Sequence, residues 1–171
     1  MSARPLLLLA AAALAVGCTL PGPEQPATLA AAASSSAAAP AVHVVRNADG
    51  GLQIDFPTDA AFEFGTARLQ PVFEPQLQHV AMLLMQAGQG AVSVVGHTDN
   101  VGAADFNQAL SEQRAQRVAA FLAAQGVAPD RLVTAGRGAL QPRATNATAA
   151  GRQLNRRIEL SVSPGGQEPA R

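Results

Sequence analysis

The chain has 171 residues, which is room for one domain with short accessory segments. Its twelve basic residues, all arginines, balance twelve acidic residues, so the net charge of zero disfavours a nucleic-acid partner held by a general positive field. Tryptophan and tyrosine are absent, which weakens any carbohydrate site built on large aromatic platforms.

The N-terminus follows the plan of a secretory signal peptide. Arg4 precedes an apolar run that begins at Leu6 and closes at Gly17-Cys18, and this run is too short for the ~20 residues that span a bilayer. The stretch Leu14-Ala15-Val16-Gly17-Cys18 resembles a bacterial lipobox. The resemblance implies that residues 1–17 are a lipoprotein signal peptide and that Cys18 carries acyl chains such as palmitate. The alternative is a secreted protein cleaved inside this stretch without lipidation.

Residues 18–41 predict a lipidated tether rather than a folded element. Four prolines and three consecutive serines interrupt an alanine-rich stretch that offers no apolar face for burial. Fully extended, the tether reaches at most ~80 Å, and as a coil it spans roughly 25–30 Å. Thr19 stands where aspartate favours inner-membrane retention in lipoproteins of diderm bacteria. The lipobox resemblance therefore implies an outer-membrane anchor, with the domain facing the periplasm.

The folded domain is predicted to span residues 42–163, followed by a polar tail at residues 164–171. Apolar segments at residues 42–46 and 52–56 flank an Asn-Ala-Asp-Gly-Gly sequence, which predicts a β-hairpin. Phe62 and Phe64 indicate a short edge segment. Apolar residues spaced by three and four then predict a helix that begins near Pro71 and ends at Gly88.

The second half of the domain alternates strands and helices. Residues 91–96 predict a buried strand, and Asp105 with Gln108 predicts a capping box for a helix that runs to residue 125. Residues 132–135 predict another strand, residues 136–154 a loop with a helical turn near Ala149, and residues 158–162 a final alternating strand. The pattern indicates a single α/β domain of about 120 residues, large enough for its own core.

Polar side chains are gathered around the predicted helix that follows residue 96. Helical spacing places Asn107 and Arg114 on one stripe, and Asp99 lies in the loop that feeds this helix. A carboxylate, an amide and a guanidinium in one place suit a small zwitterionic ligand better than bond-breaking chemistry. Simpler roles stay open: Asp99 as a cap, Asn107 as a loop contact, and Arg114 as the partner of Glu112 or Asp105.

Two neighbouring arginines precede the final strand. Alternation puts Arg156 on the same face as the apolar residues of that strand, so Arg156 is expected to emerge at a pocket and Arg157 on a solvated face. His97 lies two residues before Asp99, a spacing that invites a metal or acid–base interpretation. Because no further ligand spacing accompanies it, a structural histidine at a strand end is the expected role.

The spacing of these residues resembles the peptidoglycan-binding OmpA-like C-terminal domain, a family shared by OmpA, the lipoprotein Pal and the stator protein MotB. The sequence Gly-His-Thr-Asp-x-x-Gly at residues 96–102 carries the resemblance, and Asn107, Arg114 and Asn155-Arg156-Arg157-Ile158 extend it. The similar region covers about residues 52–162. Small departures are Ala139, where an acidic residue is common, and Ile158 in place of valine.

The resemblance implies a βαβαβ(α)β sandwich, in which a mixed sheet carries helices on one face and follows an N-terminal β-hairpin. It also implies that Asp99 and Arg114 grip diaminopimelate in the peptidoglycan stem peptide, assisted by Asn107 and Arg156. The side-chain end of diaminopimelate is an amino-acid zwitterion, so a carboxylate meets its ammonium, while the guanidiniums and the amide meet its carboxylate. No cofactor or metal is expected.

The sequence therefore predicts a lipid-anchored outer-membrane protein that binds the cell wall and is not an enzyme. A periplasmic protein-interaction role stays open as an alternative or an addition. A cell-wall hydrolase using His97, Asp99 and Ser93 or Ser111 is a weaker alternative, because no nucleophile elbow, zinc spacing or second matched carboxylate supports it.

Overall fold

The computed structural model describes residues 42–48 and 50–162. The signal peptide, the lipidated tether and the C-terminal tail predicted above lie outside the described residues. Within the described part, no helix is both long and apolar enough to cross a membrane.

The described residues form five strands and four α-helices. In chain order these are β1 (His43–Arg46), β2 (Leu52–Pro57), α1 (Thr58–Ala61), α2 (Glu74–Gln86), β3 (Val92–Gly96), α3 (Ala104–Ala124), β4 (Leu132–Gly136), α4 (Ala149–Asn155) and β5 (Arg157–Val162). Short 3₁₀ turns at Pro71–Phe73 and Pro129–Arg131 lead into α2 and β4.

The strands form one mixed sheet in the order β1-β2-β5-β3-β4, which confirms the predicted α/β fold with its N-terminal hairpin. β3 and β4 are parallel and are joined through α3, as a parallel pair requires a crossover connection. All other neighbours are antiparallel. The last strand, β5, lies between β2 and β3, so its first residues are flanked by the ends of both.

One face of the sheet is covered by α2 and α3. Side chains alternate between buried and partly exposed along β2 and β3, as expected for a sheet with a single core face. The core combines apolar residues from the strands and both helices: Leu52, Ile54, Phe56, Leu77, Val80, Leu84, Val92, Val94, Ala115, Val118, Leu122, Ile158, Leu160 and Val162. The predicted placement of the helices on one face is therefore confirmed.

α3 lies very close to the ends of β3 and β4. A side chain at Gly96 would overlap the backbone oxygen of Ser111, and a side chain at Gly136 would come within 2.6 Å of Glu112 N and Ser111 Oγ. Glycine at these two strand ends is what allows the helix to approach. The close approach fixes the N-terminal half of α3 over the loop that follows β3.

Several local predictions need correction. α3 begins at Ala104 with Ala103 as the N-cap and no side-chain cap, so the predicted capping box is wrong: Gln108 instead donates to the backbone oxygen of Gly136 at 2.9 Å. The short helix α1 was not predicted, because four residues carry too little periodicity. The helical turn expected near Ala149 is the helix α4, capped by the Thr148 side chain.

Candidate functional site

Three strand ends meet at one edge of the sheet and deliver polar side chains to the same place. The backbone N–H of Thr58, just after β2, donates to Arg156 O at 2.9 Å, and the N–H of His97, just after β3, donates to Arg157 O at 2.9 Å. Asp59, Asp99 and Arg156 are thereby brought together from distant parts of the chain.

A cleft of about 520 Å³ opens at this edge, between α1, the loop after β3 and the first half of α3. This volume is in the range of small-ligand sites. The cleft is lined by Thr58, Asp59, Phe62, Phe64, Gly65, Gln70, Thr98, Asp99, Val101, Phe106, Asn107, Leu110, Arg114, Arg152 and Arg156. The four ligand-binding residues predicted from the sequence (Asp99, Asn107, Arg114 and Arg156) all lie in this lining.

Asp99 is a buried carboxylate whose two oxygens are both oriented by the protein. Oδ1 accepts the backbone N–H of Val101 at 3.0 Å, and Oδ2 accepts Arg156 Nη1 at 2.7 Å. Its side chain is 10% exposed. Asp99 therefore lies in the loop before α3 and does not cap the helix, since no side chain caps α3.

Asn107 is buried in the first turn of α3 and holds the same loop. Its Nδ2 donates to Val101 O at 2.9 Å and, more weakly, to Asp99 O at 3.4 Å. The amide thus holds the backbone of the loop after β3 at Asp99 and at Val101. This is the loop-contact role that the sequence analysis left open for Asn107. Its effect on a ligand would pass through the position of Asp99.

Arg114 is 5% exposed and has no acidic partner among the described residues. Its Nε donates to Thr66 O at 2.8 Å, and its guanidinium lies over the Phe62 ring, 5.3 Å from the centroid. Its two terminal nitrogens make no hydrogen bond within this part of the chain. The alternative of a surface pair with Glu112 or Asp105 is therefore not what the structure contains.

The protonation of Arg114 reflects this environment. Burial lowers the pKa of the Arg114 guanidinium below its ordinary value, and the positive charge of Arg156 lowers it further, while the negative charge of Asp59 opposes both effects. An arginine nevertheless stays protonated at neutral pH. The cleft therefore contains a partly desolvated positive charge that has no counter-charge in direct contact within residues 42–48 and 50–162.

Arg156, in contrast, donates to carboxylates from all three of its nitrogens. It lies one residue before β5, and its Nε donates to both oxygens of Asp59, at 2.9 and 3.1 Å. Nη2 donates to Asp59 Oδ2 at 2.6 Å and Nη1 to Asp99 Oδ2 at 2.7 Å. The hydrogen bonds that Arg156 donates to Asp59 and, with a smaller effect, to Asp99 raise the pKa of Arg156.

The expectation that Arg157 lies on a solvated face is wrong. Arg157 is 7% exposed, and its guanidinium donates to Glu159 Oε1 at 2.7 Å and to the backbone oxygens of Asn155 and Gln141 at 3.2 Å. The loop before α4 folds over this face of the sheet and covers the side chain. Strand alternation alone contains no signal for such a loop.

His97 is a buried residue behind the cleft, in agreement with a structural role. Its Nε2 lies 3.7 Å from Glu159 Oε2, and neither ring nitrogen has a hydrogen-bond partner in the described part of the protein. His97 and Arg157 together lower the pKa of Glu159 to about 2. Because 3.7 Å is too long for a hydrogen bond, the 2.7 Å contact from Arg157 is the firmer physical basis for this shift.

The geometry offers little to a hydrolase. Ser111 is completely buried, with its hydroxyl donating to Gln108 O at 2.8 Å and accepting from Gly138 N at 3.0 Å. No hydrogen bond joins this hydroxyl to His97 or Asp99 among the described residues. Nor do residues 42–48 and 50–162 contain a group of three His, Cys, Asp or Glu that could hold a metal ion.

Sequence reasoning missed Asp59 and Phe62 as members of the site. Asp59 lies in the unpredicted helix α1, and Phe62, expected in an edge segment, pairs with Leu69 in an isolated bridge and supports Arg114. Asp59 reaches the cleft only because β5 lies next to β2 in the sheet. That adjacency is a property of the topology and has no local sequence signal.

Residues 61–156 match the family model described as the OmpA family, and the chain belongs to this family. The family consists of binding domains rather than enzymes. The matched segment contains Asp99, Asn107, Arg114 and Arg156, whereas Asp59 precedes it.

The chain is similar to named bacterial proteins. It is 41% identical over 123 residues to the "Probable lipoprotein YiaD" of Escherichia coli, covering 72% of this chain and 56% of that protein. It is also 41% identical over 112 residues to the "Peptidoglycan-binding protein ArfA" of Mycobacterium tuberculosis, covering 64% and 34%. The chain thus spans about half or less of the length of these relatives.

A solved structure shares both fold and sequence with the chain. The cell wall anchor of the T6SS from Pseudomonas aeruginosa is similar with a TM-score of 0.63 and 36% identity, over 71% of this chain and 86% of that one. The mixed sheet with its helices is therefore the OmpA-like fold.

Proposed function

We propose that the protein is an outer-membrane lipoprotein that holds the cell wall by non-covalent binding of diaminopimelate-containing peptidoglycan stem peptides. Membership of a family of binding domains supports the recognition part of this proposal. Relatives that are described as a lipoprotein, a peptidoglycan-binding protein and a cell wall anchor support the location and the class of partner.

The observation that carries the ligand assignment is the contrast between the charged groups of the cleft. Arg114 has two terminal nitrogens without partners among the described residues, and Asp99 lies in the same cleft with its carboxylate already oriented. A ligand carboxylate would pair with Arg114 through two parallel hydrogen bonds, and a ligand ammonium would bind on the Asp99 side. Asn107 and Arg156 assist by holding the loop and the carboxylate of Asp99 in place.

This arrangement would distinguish diaminopimelate from lysine at the same position of the stem. Both carry an ammonium group, but lysine lacks the adjacent carboxylate. A bound lysine side chain would leave the guanidinium of Arg114 desolvated and unpaired, which penalises the wrong ligand.

The predicted lipid anchor and tether would make modest affinity sufficient. The wall is a repeating polymer, and a domain held within tens of ångströms of it meets a high effective concentration of stem peptides. Several acyl chains on Cys18 would give stable attachment to the membrane. The domain then links the membrane to the wall from the periplasmic side.

Co-sedimentation with purified wall sacculi tests the proposal. We expect the full chain to pellet with sacculi that contain diaminopimelate, and Arg114→Met to lose most of this binding. Arg117→Met is the matched control, because Arg117 lies on the same helix but is exposed and outside the cleft lining. Equal pelleting of both variants with wild type would show that the cleft does not bind the wall.

Apolar residues at the mouth of the cleft favour a protein partner as a second role. Phe64 is completely exposed, and Val101 and Phe106 are more than half exposed. Exposed apolar groups that line the same opening are typical of interaction sites. If they bind a periplasmic protein, Phe64→Ser should weaken that contact in envelope cross-linking, and it should weaken wall co-sedimentation less than Arg114→Met does.

A further inference from the structure

The cleft contains one carboxylate more than the site predicted from the sequence, because Asp59 lies beside Asp99. Asp59 and Asp99 both accept hydrogen bonds from Arg156, so two carboxylates share one guanidinium. Two negative charges around one positive charge leave this group of three residues with a net charge of −1. On the other side of the cleft Arg114 contributes +1, with no carboxylate in contact among the described residues.

Arg156 is poorly suited to bind a ligand carboxylate. Its Nε and both terminal nitrogens already donate to carboxylates at 2.6 to 3.1 Å, in a paired geometry toward Asp59. A ligand carboxylate that bound here would lie next to the carboxylates of Asp59 and Asp99, which would repel it. The arrangement instead allows two carboxylates to stay close together without repelling each other strongly.

Asp59 is the more accessible of the two carboxylates. Its side chain is 44% exposed, against 10% for Asp99, whose two oxygens are occupied by Val101 N–H and by Arg156. Each carboxylate oxygen has two lone pairs, so Asp59 keeps accepting capacity toward the cleft after binding Arg156. A ligand ammonium, with three donors, could be shared between both carboxylates.

We propose that Asp59 is a ligand-binding residue, which joins Asp99 to form the ammonium-binding half of the cleft, and that Arg156 is a positioning residue for this pair. The proposal rests on the proposed function, because it names a residue of the same site. It divides the recognition of the zwitterion between two halves: Asp59 and Asp99 select the ammonium, and Arg114 selects the carboxylate.

The test is a set of calorimetric titrations of the purified full chain with three stem tripeptides. One ends in diaminopimelate, one in 2-aminopimelate, which keeps the distal carboxylate but lacks the distal ammonium, and one in lysine. We expect Asp59→Asn to weaken the diaminopimelate peptide by about 5- to 20-fold, as for a partly exposed charge-assisted hydrogen bond. The 2-aminopimelate peptide should bind this variant within about two-fold of wild type, because it has no ammonium for Asp59 to contact.

Asp55→Asn is the matched control. Asp55 also pairs with an arginine: its Oδ2 lies 3.0 Å from Arg143 Nη1. Neither residue belongs to the cleft lining. Loss of a surface ion pair should therefore leave all three titrations unchanged, and thermal unfolding of both variants separates binding from stability.

The outcomes separate a failure of the role proposed for Asp59 from a failure of the proposed function. If Asp59→Asn weakens the diaminopimelate and 2-aminopimelate peptides equally, Asp59 acts only through the structure of the site and the proposal is wrong. The proposal is also wrong if Asp59→Asn binds the diaminopimelate peptide as tightly as wild type. If Arg114→Met binds that peptide more weakly in the same experiment, the proposed function still stands. If wild type binds none of the peptides, the proposed function fails together with the inference.

Discussion

Replacing Arg114 with methionine should weaken ligand binding by ~30-fold or more while leaving the protein folded. Methionine replaces the aliphatic part of the side chain with an apolar chain of similar width but removes the guanidinium and its charge over the Phe62 ring. The substitution removes one hydrogen bond, from Nε to Thr66 O, and one cation–π contact. Thr66 is exposed, so water can replace the lost donor at its carbonyl oxygen.

The contacts that Arg114 makes determine how its loss changes the free energy of unfolding. The hydrogen bond and the cation–π contact together stabilise the folded state by about 2–3 kcal/mol. Against this, a desolvated ion without a charged partner costs several kcal/mol, and this cost disappears with the charge. We therefore expect the free energy of unfolding to stay within about 1 kcal/mol of wild type or to rise.

The affinity for the ligand, in contrast, should fall. Truncating one member of a close charge pair costs ~2–5 kcal/mol of binding, which corresponds to a dissociation constant raised by ~30-fold or more. Urea denaturation measures the stability, and titration with a diaminopimelate stem peptide measures the binding. A stability loss above about 3 kcal/mol, with unchanged binding by the folded fraction, would refute the reasoning because it would make Arg114 structural.

Arg131→Met supplies the contrasting control. Arg131 is also a buried arginine, but it donates to Gly90 O at 2.9 Å and to Leu84 O at 3.2 Å, and both contacts are buried. Its loss would leave these carbonyl oxygens without their donors, so stability should fall by about 2–4 kcal/mol. Binding by the folded fraction should not change.

Three further predictions concern the framework around the cleft. Gly96→Ala should destabilise the protein by about 3 kcal/mol or more in urea denaturation, since its side chain would overlap the backbone oxygen of Ser111; near-wild-type stability would contradict the close helix approach. His97 and Arg157 together lower the pKa of Glu159 to about 2, so Glu159 contributes stability that is complete above its unfolded pKa near 4.5 and is lost as the pH falls from there toward 2. Glu159→Gln should therefore lower stability at pH 6 by up to ~3 kcal/mol and converge with wild type near pH 2, whereas parallel pH profiles would contradict this assignment. Asn155→Ala should cost about 2–4 kcal/mol and speed hydrogen exchange in residues 143–146, because the buried amide makes four hydrogen bonds to this loop; unchanged exchange would show that the loop is held by other contacts.

The helical and strand periods predicted the framework well. The apolar spacing of α2 and α3 and the alternation in the strands correspond to side chains that the structure buries in one core. The same spacing correctly placed Asn107 and Arg114 on one side of α3, beside the loop that carries Asp99. These predictions succeeded because each depends on residues close together in the sequence.

Contacts between distant segments were not predictable in the same way. The link between Asp59 and Arg156 joins residues 97 positions apart and exists because β5 inserts between β2 and β3. Arg157 is buried for a similar reason, since the loop that contains Gln141 returns across the outer face of the sheet. Strand order and loop paths are decided by the packing of the whole domain.

The most direct test of the central claim is an NMR titration of the isotope-labelled full chain with two stem tripeptides that differ only in ending in diaminopimelate or lysine. We expect at least ~30-fold tighter binding of the diaminopimelate peptide, because only this ligand pairs with Arg114. The largest shifts should then fall on Asp99, Arg114 and their neighbours. Equal affinity for the two peptides, or shifts that avoid these residues, would contradict the account.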